Sequence, residues 1–166
     1  KMKQIDPKIV KLSMAEFAIY PFGAMYAANL SAELGKFIGP VIVGILPAIA
    51  GGDEENGDAG GISIDLNKSM PLIGSAFASL DGDTLEVLLK KLLVNRGNVS
   101  CMYYDENGNM RQEVLKTELI DELFCQNVEE LYRLAFEVIN VNYSGFFTKF
   151  LTQFGSPEKT VMTLGA

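Results

Sequence analysis

The chain has 166 residues, 48% of them apolar and 21% charged, which is the balance of one ordinary globular domain and not of a disordered chain. It contains no His and only two Cys, Cys101 and Cys125, which excludes Ser-His-Asp triads, Cys-His dyads, His-containing zinc sites and thiolate zinc sites. Fourteen Lys and Arg against 21 Asp and Glu leave a net charge of −7, so neither nucleic acid nor an anionic membrane is an expected partner.

Residues 8–22, KIVKLSMAEFAIYPF, alternate at Phe17 and Ile19 against Ala18 and Tyr20, which predicts a strand ending at Pro21. Gly23 opens a helical spacing in which Met25, Leu30, Leu34, Phe37 and Ile38 form the apolar stripe. Gly39-Pro40 bends or ends that helix, and Pro40 suits the first turn of a second one reaching about Ala50. The run Phe37 to Ala50 is the most apolar in the chain. It is shorter than the ~20 residues a spanning helix needs and is broken by Pro40 and Pro47. No apolar leader with a small-residue cleavage site follows the polar start, so the expectation is a soluble intracellular protein.

Residues 51–61, GGDEENGDAGG, hold five Gly and four acids in eleven positions and predict a surface loop within one domain. Residues 62–66 suit a short strand. A helix is expected from Ser69-Met70-Pro71, with Pro71 near its first position, to about Leu80. Asp81-Gly82 reads as a turn, and Asp83 with Glu86 as a capping box for a helix whose face is Leu85, Leu88, Leu89 and Leu92. Residues 98–104 and 110–114 flank Asp105 to Asn109 as a β-hairpin. Thr117 is expected to cap a short helix, and Asn127 a long one with a bend near 140–145. Residues 155–166 read as a flexible C-terminal tail.

These elements add up to a mainly α (α+β) fold. It is a helical domain over 1–154 with a small β-hairpin and a short N-terminal strand.

The chemistry-bearing motifs are incomplete. Gly39 and Gly44 have phosphate-loop spacing, but Ile45-Leu46 stands where Lys-Ser/Thr is required. Asp105, Asn107 and Asn109 have the opening spacing of a calcium loop, with Met110 in the glycine position and no acid at the twelfth. Asp53, Glu54, Glu55 and Asp58 could gather weakly around a hard cation, but flanked by glycines they read first as a solvated loop. No cofactor, metal ligand or catalytic residue is assigned. What remains is apolar surface. Tyr143, Phe146, Phe147, Phe150 and Phe154 place five aromatics in twelve residues at helical spacing, either to close the core or to form a groove for an apolar segment of a partner. Met14, Met25 and Met70 would add adaptability to such a surface.

Two segments resemble phage tail assembly chaperones. Residues 17–46, FAIYPFGAMYAANLSAELGKFIGPVIVGIL, match a short strand, a Pro-Phe step and a helix leading to a Gly-Pro break. Residues 119–150 match the C-terminal pattern at Leu131, Tyr132, Leu134, Val138, Ile139, Asn142 and Phe146, with Tyr143 where Phe is expected. The resemblance implies a small non-catalytic protein of the host bacterial cytoplasm, absent from the mature virion. Its implied partners are the tape measure protein and tail tube subunits, with self-association also compatible. The alternatives are a structural tail component retained in the particle and a metal-dependent enzyme using the 53–58 acids.

Overall fold

The computed structural model describes residues 5–36 and 66–154, without the side chains of 66–70, 72 and 144–154. Its elements are β1 (Lys8–Lys11), β2 (Glu16–Ile19), α1 (24–36), α2 (Leu66–Ala78), α3 (Gly82–Leu93), β3 (Val99–Tyr104), β4 (Met110–Val114), α4 (Thr117–Leu123) and α5 (Val128–Phe154). The four strands form one antiparallel sheet in the order β1-β2-β3-β4. This corrects the expectation of a mainly helical domain carrying a hairpin and a lone strand: the fold is α+β around a continuous sheet.

The correction has two physical causes. Residues 8–22 are two strands, not one, because the chain reverses at 12–15, where the Leu12 N–H donates to the Ala15 carbonyl at 3.0 Å. That turn contains no Gly, Pro, Asn or Asp, and α5 holds it from a distance. Glu130 accepts from the Ser13 hydroxyl at 2.7 Å and from the Ser13 backbone N–H at 3.3 Å. Then β2 pairs with β3 across some eighty residues, with Phe17 opposite Cys101 and Ile19 opposite Val99. The second hairpin forms as expected, with Asp105 accepting from the Asn107 and Asn109 N–H groups inside the turn.

Helix α1 ends its described course at 36, and Leu30 and Leu34 are its buried positions, whereas Met25 is 86% exposed and leaves the expected stripe. Helix α2 opens at Leu66, which removes that residue from the expected strand, and Pro71 lies inside it and not near its start. Packing supports the helix despite the lost N–H, because Ile73, Ala76 and Phe77 bury against α5 and Phe77 stacks on Tyr132 at 5.1 Å between centroids. Helix α3 is capped by Asp81 and not by Asp83: its carboxylate accepts from Thr84 N–H at 2.9 Å and Thr84 hydroxyl at 2.6 Å. Glu86 instead pairs with Lys90 one turn on. Lys116, with no side-chain cap bond, takes the place expected of Thr117 before α4. Helix α5 runs without a break through 140–145. The segments expected as a second helix to Ala50, a loop at 51–61, a strand at 62–65 and a tail at 155–166 lie outside the described residues.

The core joins one face of the sheet to the helices. Its cluster of buried residues draws on every described element except β4. Phe17 stacks on Phe124 at 5.7 Å, and Leu134, Ala135, Val138 and Ile139 of α5 are buried beneath. Lys8 of β1 pairs with the buried carboxylate of Glu137, which ties the outermost strand to the central helix. Lys91 pairs with Glu33 at 2.7 Å and its carbonyl accepts from Tyr26, which ties α3 to α1.

Candidate binding surface

Alternation along the strands divides the sheet into two faces. Val10, Phe17, Ile19, Val99 and Cys101 point to the helices and are buried. Their neighbours point the other way. The pairing register sets Ile9, Ala18, Ser100 and Val114 in one row across all four strands, and Lys11, Glu16, Met102 and Gln112 in the next. Tyr104 and Met110 form the row nearest the β3–β4 turn.

This outer face is apolar and open. Ile9 is 50% exposed, Val114 56%, Met110 61% and Tyr104 70%, around the half-buried Ala18, Ser100 and Met102. Lys11 and Glu16, 3.7 Å apart, are its charged pair beside β1. Between the middle strands it dips by only about 30 Å³, enough for one water and too little for a small ligand. Such a surface suits an extended or helical segment of another polypeptide lying across it.

A second concavity, of about 600 Å³, opens where β2 passes into α1, between residues 20–26 and the turn at 96–98. The Arg96 guanidinium lies over the Tyr26 ring at 4.3 Å, and the exposed Met25 stands at the rim. Asn98, which also lines this concavity, is buried. Its amide donates to the Leu92 carbonyl at 3.1 Å and its backbone carbonyl accepts from Tyr20 N–H at 2.8 Å.

The predicted aromatic residues fare differently. Tyr143 is buried, and its hydroxyl donates to the Ala27 carbonyl at 2.7 Å, so it closes the core between α5 and α1. Burial pushes its pKa up to about 12. Phe146, Phe147, Phe150 and Phe154 follow on the same helix, with side chains outside the described residues. Met14 packs against the core, and the Met70 side chain is not among those described. The outer sheet face was missed, yet a signal for it exists. Strand β3 has apolar residues at both parities, with Met102 and Tyr104 on the face opposite Val99 and Cys101, and β4 repeats an apolar residue at Met110 and Val114.

The acids at 53–58 lie outside the described residues. Among the described residues no group of three or more Cys, Asp or Glu is placed to hold a metal ion, and no helix is long and apolar enough to cross a membrane. Both thiols are free. Burial pushes the Cys101 pKa up to about 11, away from thiolate reactivity.

The two segments that carry the resemblance meet in space. The Phe22 N–H at the Pro-Phe step donates to Asn142 Oδ1 at 2.7 Å, and Asn142 Nδ2 donates to the Val138 carbonyl at 2.8 Å. Together with the bond from Tyr143 to Ala27, this locks the start of α1 onto α5. No curated protein and no solved structure matches the chain. A family does: residues 14–155, from the first β-turn to just beyond α5, match the family described as "Phage tail assembly chaperone protein, TAC". With most of its length in that match, the chain belongs to the phage tail assembly chaperone family.

Proposed function

We propose that this chaperone serves tail assembly by holding the tape measure protein on the outer face of its sheet, and that tail tube subunits are recruited to that complex. The observation that carries the reading is the exposed row from Ile9 to Val114, with Tyr104 and Met110 beside it, on a face that the described helices leave uncovered. A long client that exposes apolar stripes before assembly aggregates through them, and a protein that binds those stripes suppresses aggregation by mass action. A shallow surface of flexible and aromatic side chains binds such stripes without a fixed pocket and lets them go again. The reading places the protein in the cytoplasm of the infected or lysogenic host and outside the finished particle. The family is generally non-catalytic, and the surface needs no reactive group.

Co-expression with the tape measure protein tests it. The wild-type chain should keep that protein soluble and co-purify with it. The pair Ile9→Lys and Tyr104→Lys should lose both effects while keeping a native far-UV spectrum and melting curve, since both positions are exposed. Undiminished client solubility with that folded double variant would overturn the assignment of the surface.

A further inference from the structure

The edge of β4 that no described strand pairs carries backbone groups that client holding does not use. Around the β3–β4 hairpin, the Leu115 N–H donates to the Val99 carbonyl at 2.8 Å and the Asp105 N–H to the Asn109 carbonyl at 2.9 Å. Antiparallel ladders alternate, so these two bonds set the phase of everything between them. Arg111 and Glu113 direct their backbone groups at β3. Met110, Gln112 and Val114 direct theirs outward, to an edge that no described strand pairs. No residue of β4 belongs to the buried core, and all but Glu113 are exposed.

The sequence of that edge is Met110-Arg111-Gln112-Glu113-Val114. Turned over on itself about Gln112, it is charge-complementary. Gln112 faces its own copy. Met110 faces Val114 of the second copy on the outer side of the sheet. Arg111 faces Glu113 of the second copy on the helix side, and Glu113 faces Arg111. In this register the outward-pointing backbone groups are the ones that must exchange hydrogen bonds. The charged residues then occupy the closely approaching, non-hydrogen-bonded positions, where opposite charges attract most and like charges repel most.

Edge strands are commonly protected by charge, and at the other edge β1 carries Lys8 and Lys11, each already paired within the chain, to Glu137 and to Glu16. The mirrored pair on β4 is instead placed to attract a second copy. Arg111 already donates through Nε to Asp105 at 2.8 Å, and this holds the side chain while its two terminal nitrogens stay available for a carboxylate across the edge.

We infer that β4 is a self-complementary edge through which two copies of this chain pair antiparallel about Gln112, joining their sheets into one of eight strands with both helical layers on the same side. This inference is independent of which client the chaperone holds, and its test contains no client.

Sedimentation equilibrium of the full chain over a wide range of concentration should show the mass rising from 18.1 kDa toward twice that value. Arg111→Glu alone or Glu113→Arg alone places like charges opposite each other at both pairs and should weaken association roughly tenfold or more. Mixing the two single variants should restore it, because each then meets its complement. Gln112→Pro removes an outward N–H that the chain's own ladder does not use, so the fold should persist by far-UV spectrum while pairing is lost. A wild-type mass of 18.1 kDa at every concentration overturns the inference. So does a dimer indifferent to Gln112→Pro, which would place the interface elsewhere, or a mixture of the charge variants that stays monomeric. If wild type stays monomeric but a strand from another tail protein adds to this edge, the partner assigned here is wrong.

Discussion

The two faces of the sheet are built from the same nineteen or so strand residues and behave as different materials. On the helix side, Phe17, Ile19, Val99 and Cys101 are almost wholly removed from water. One residue along each strand, Ile9, Tyr104 and Val114 remain at least half in water. Stability therefore resides on one face and leaves the other free to be apolar for a different purpose. The largest expected effect breaks the molecule on the packed side. Phe17→Ala removes a ring that stacks on Phe124 and should cost about 3–5 kcal/mol in urea unfolding. Ile9→Thr, one row away on the open side, keeps the β-branch and should shift the same midpoint by no more than about 0.5 kcal/mol. If the two changes cost alike, the division between the faces is wrong.

A middle-sized effect sharpens the contrast from beneath the packed face. Tyr143→Phe deletes the hydroxyl that holds the Ala27 carbonyl, and should cost about 1 kcal/mol at neutral pH. Its pH dependence follows from burial. The folded state raises the Tyr143 pKa from 10.0 to about 12 and that of Cys101 from 9.0 to about 11, in both cases because burial favours the neutral, protonated form. A raised pKa stabilises the fold fully below the ordinary value and progressively less as pH climbs through the folded one. Wild type should thus lose stability from about pH 9 to pH 12. Tyr143→Phe should start lower and fall less steeply above pH 10, the remaining slope belonging to Cys101 and to Tyr103, whose pKa burial also raises. Denaturant melts at stepped alkaline pH read both slopes.

What the sequence made legible was local. The β3–β4 hairpin was readable because Asp105, Asn107 and Gly108 carry their own turn chemistry, Gly108 at a φ of 78°. Helix α3 was readable because Leu88 and Leu92 recur one turn apart. The β1–β2 reversal was not, because its turn is held by Glu130 from a helix more than a hundred residues away. The sheet was undercounted for the same reason: the β2–β3 pairing exists only after α1, α2 and α3 have been placed between them. The candidate surface depends on which period is followed. The aromatic spacing after residue 142 drew attention to α5, and its first member, Tyr143, turned out to serve the core. The outer sheet residues are spread over strands that become neighbours only in the fold, so no contiguous stretch of sequence announces them.

The smallest expected effect lies at the start of α3, which supports the packed face through Leu88, Leu92 and Leu93 and has no part in the open one. Asp81 and Asp83 are both plausible caps by residue type, and the geometry selects Asp81. The two bonds from Thr84 hold its carboxyl below the usual carboxylate range, the hydroxyl contributing most and the backbone N–H next. A lowered pKa contributes stability above the ordinary value of 3.8 and loses it as pH falls below. Asp81→Asn keeps an acceptor for the Thr84 N–H but cannot titrate. It should match wild type near neutrality and flatten the acid limb of the stability curve. Asp81→Ala should lower the neutral melting temperature slightly and flatten that limb as well. Asp83→Ala should do neither. All three variants should hold client as wild type does, because the helix they perturb touches only the face that carries stability. A client defect in Asp81→Ala, with the fold retained, would mean that the two faces are coupled through the core.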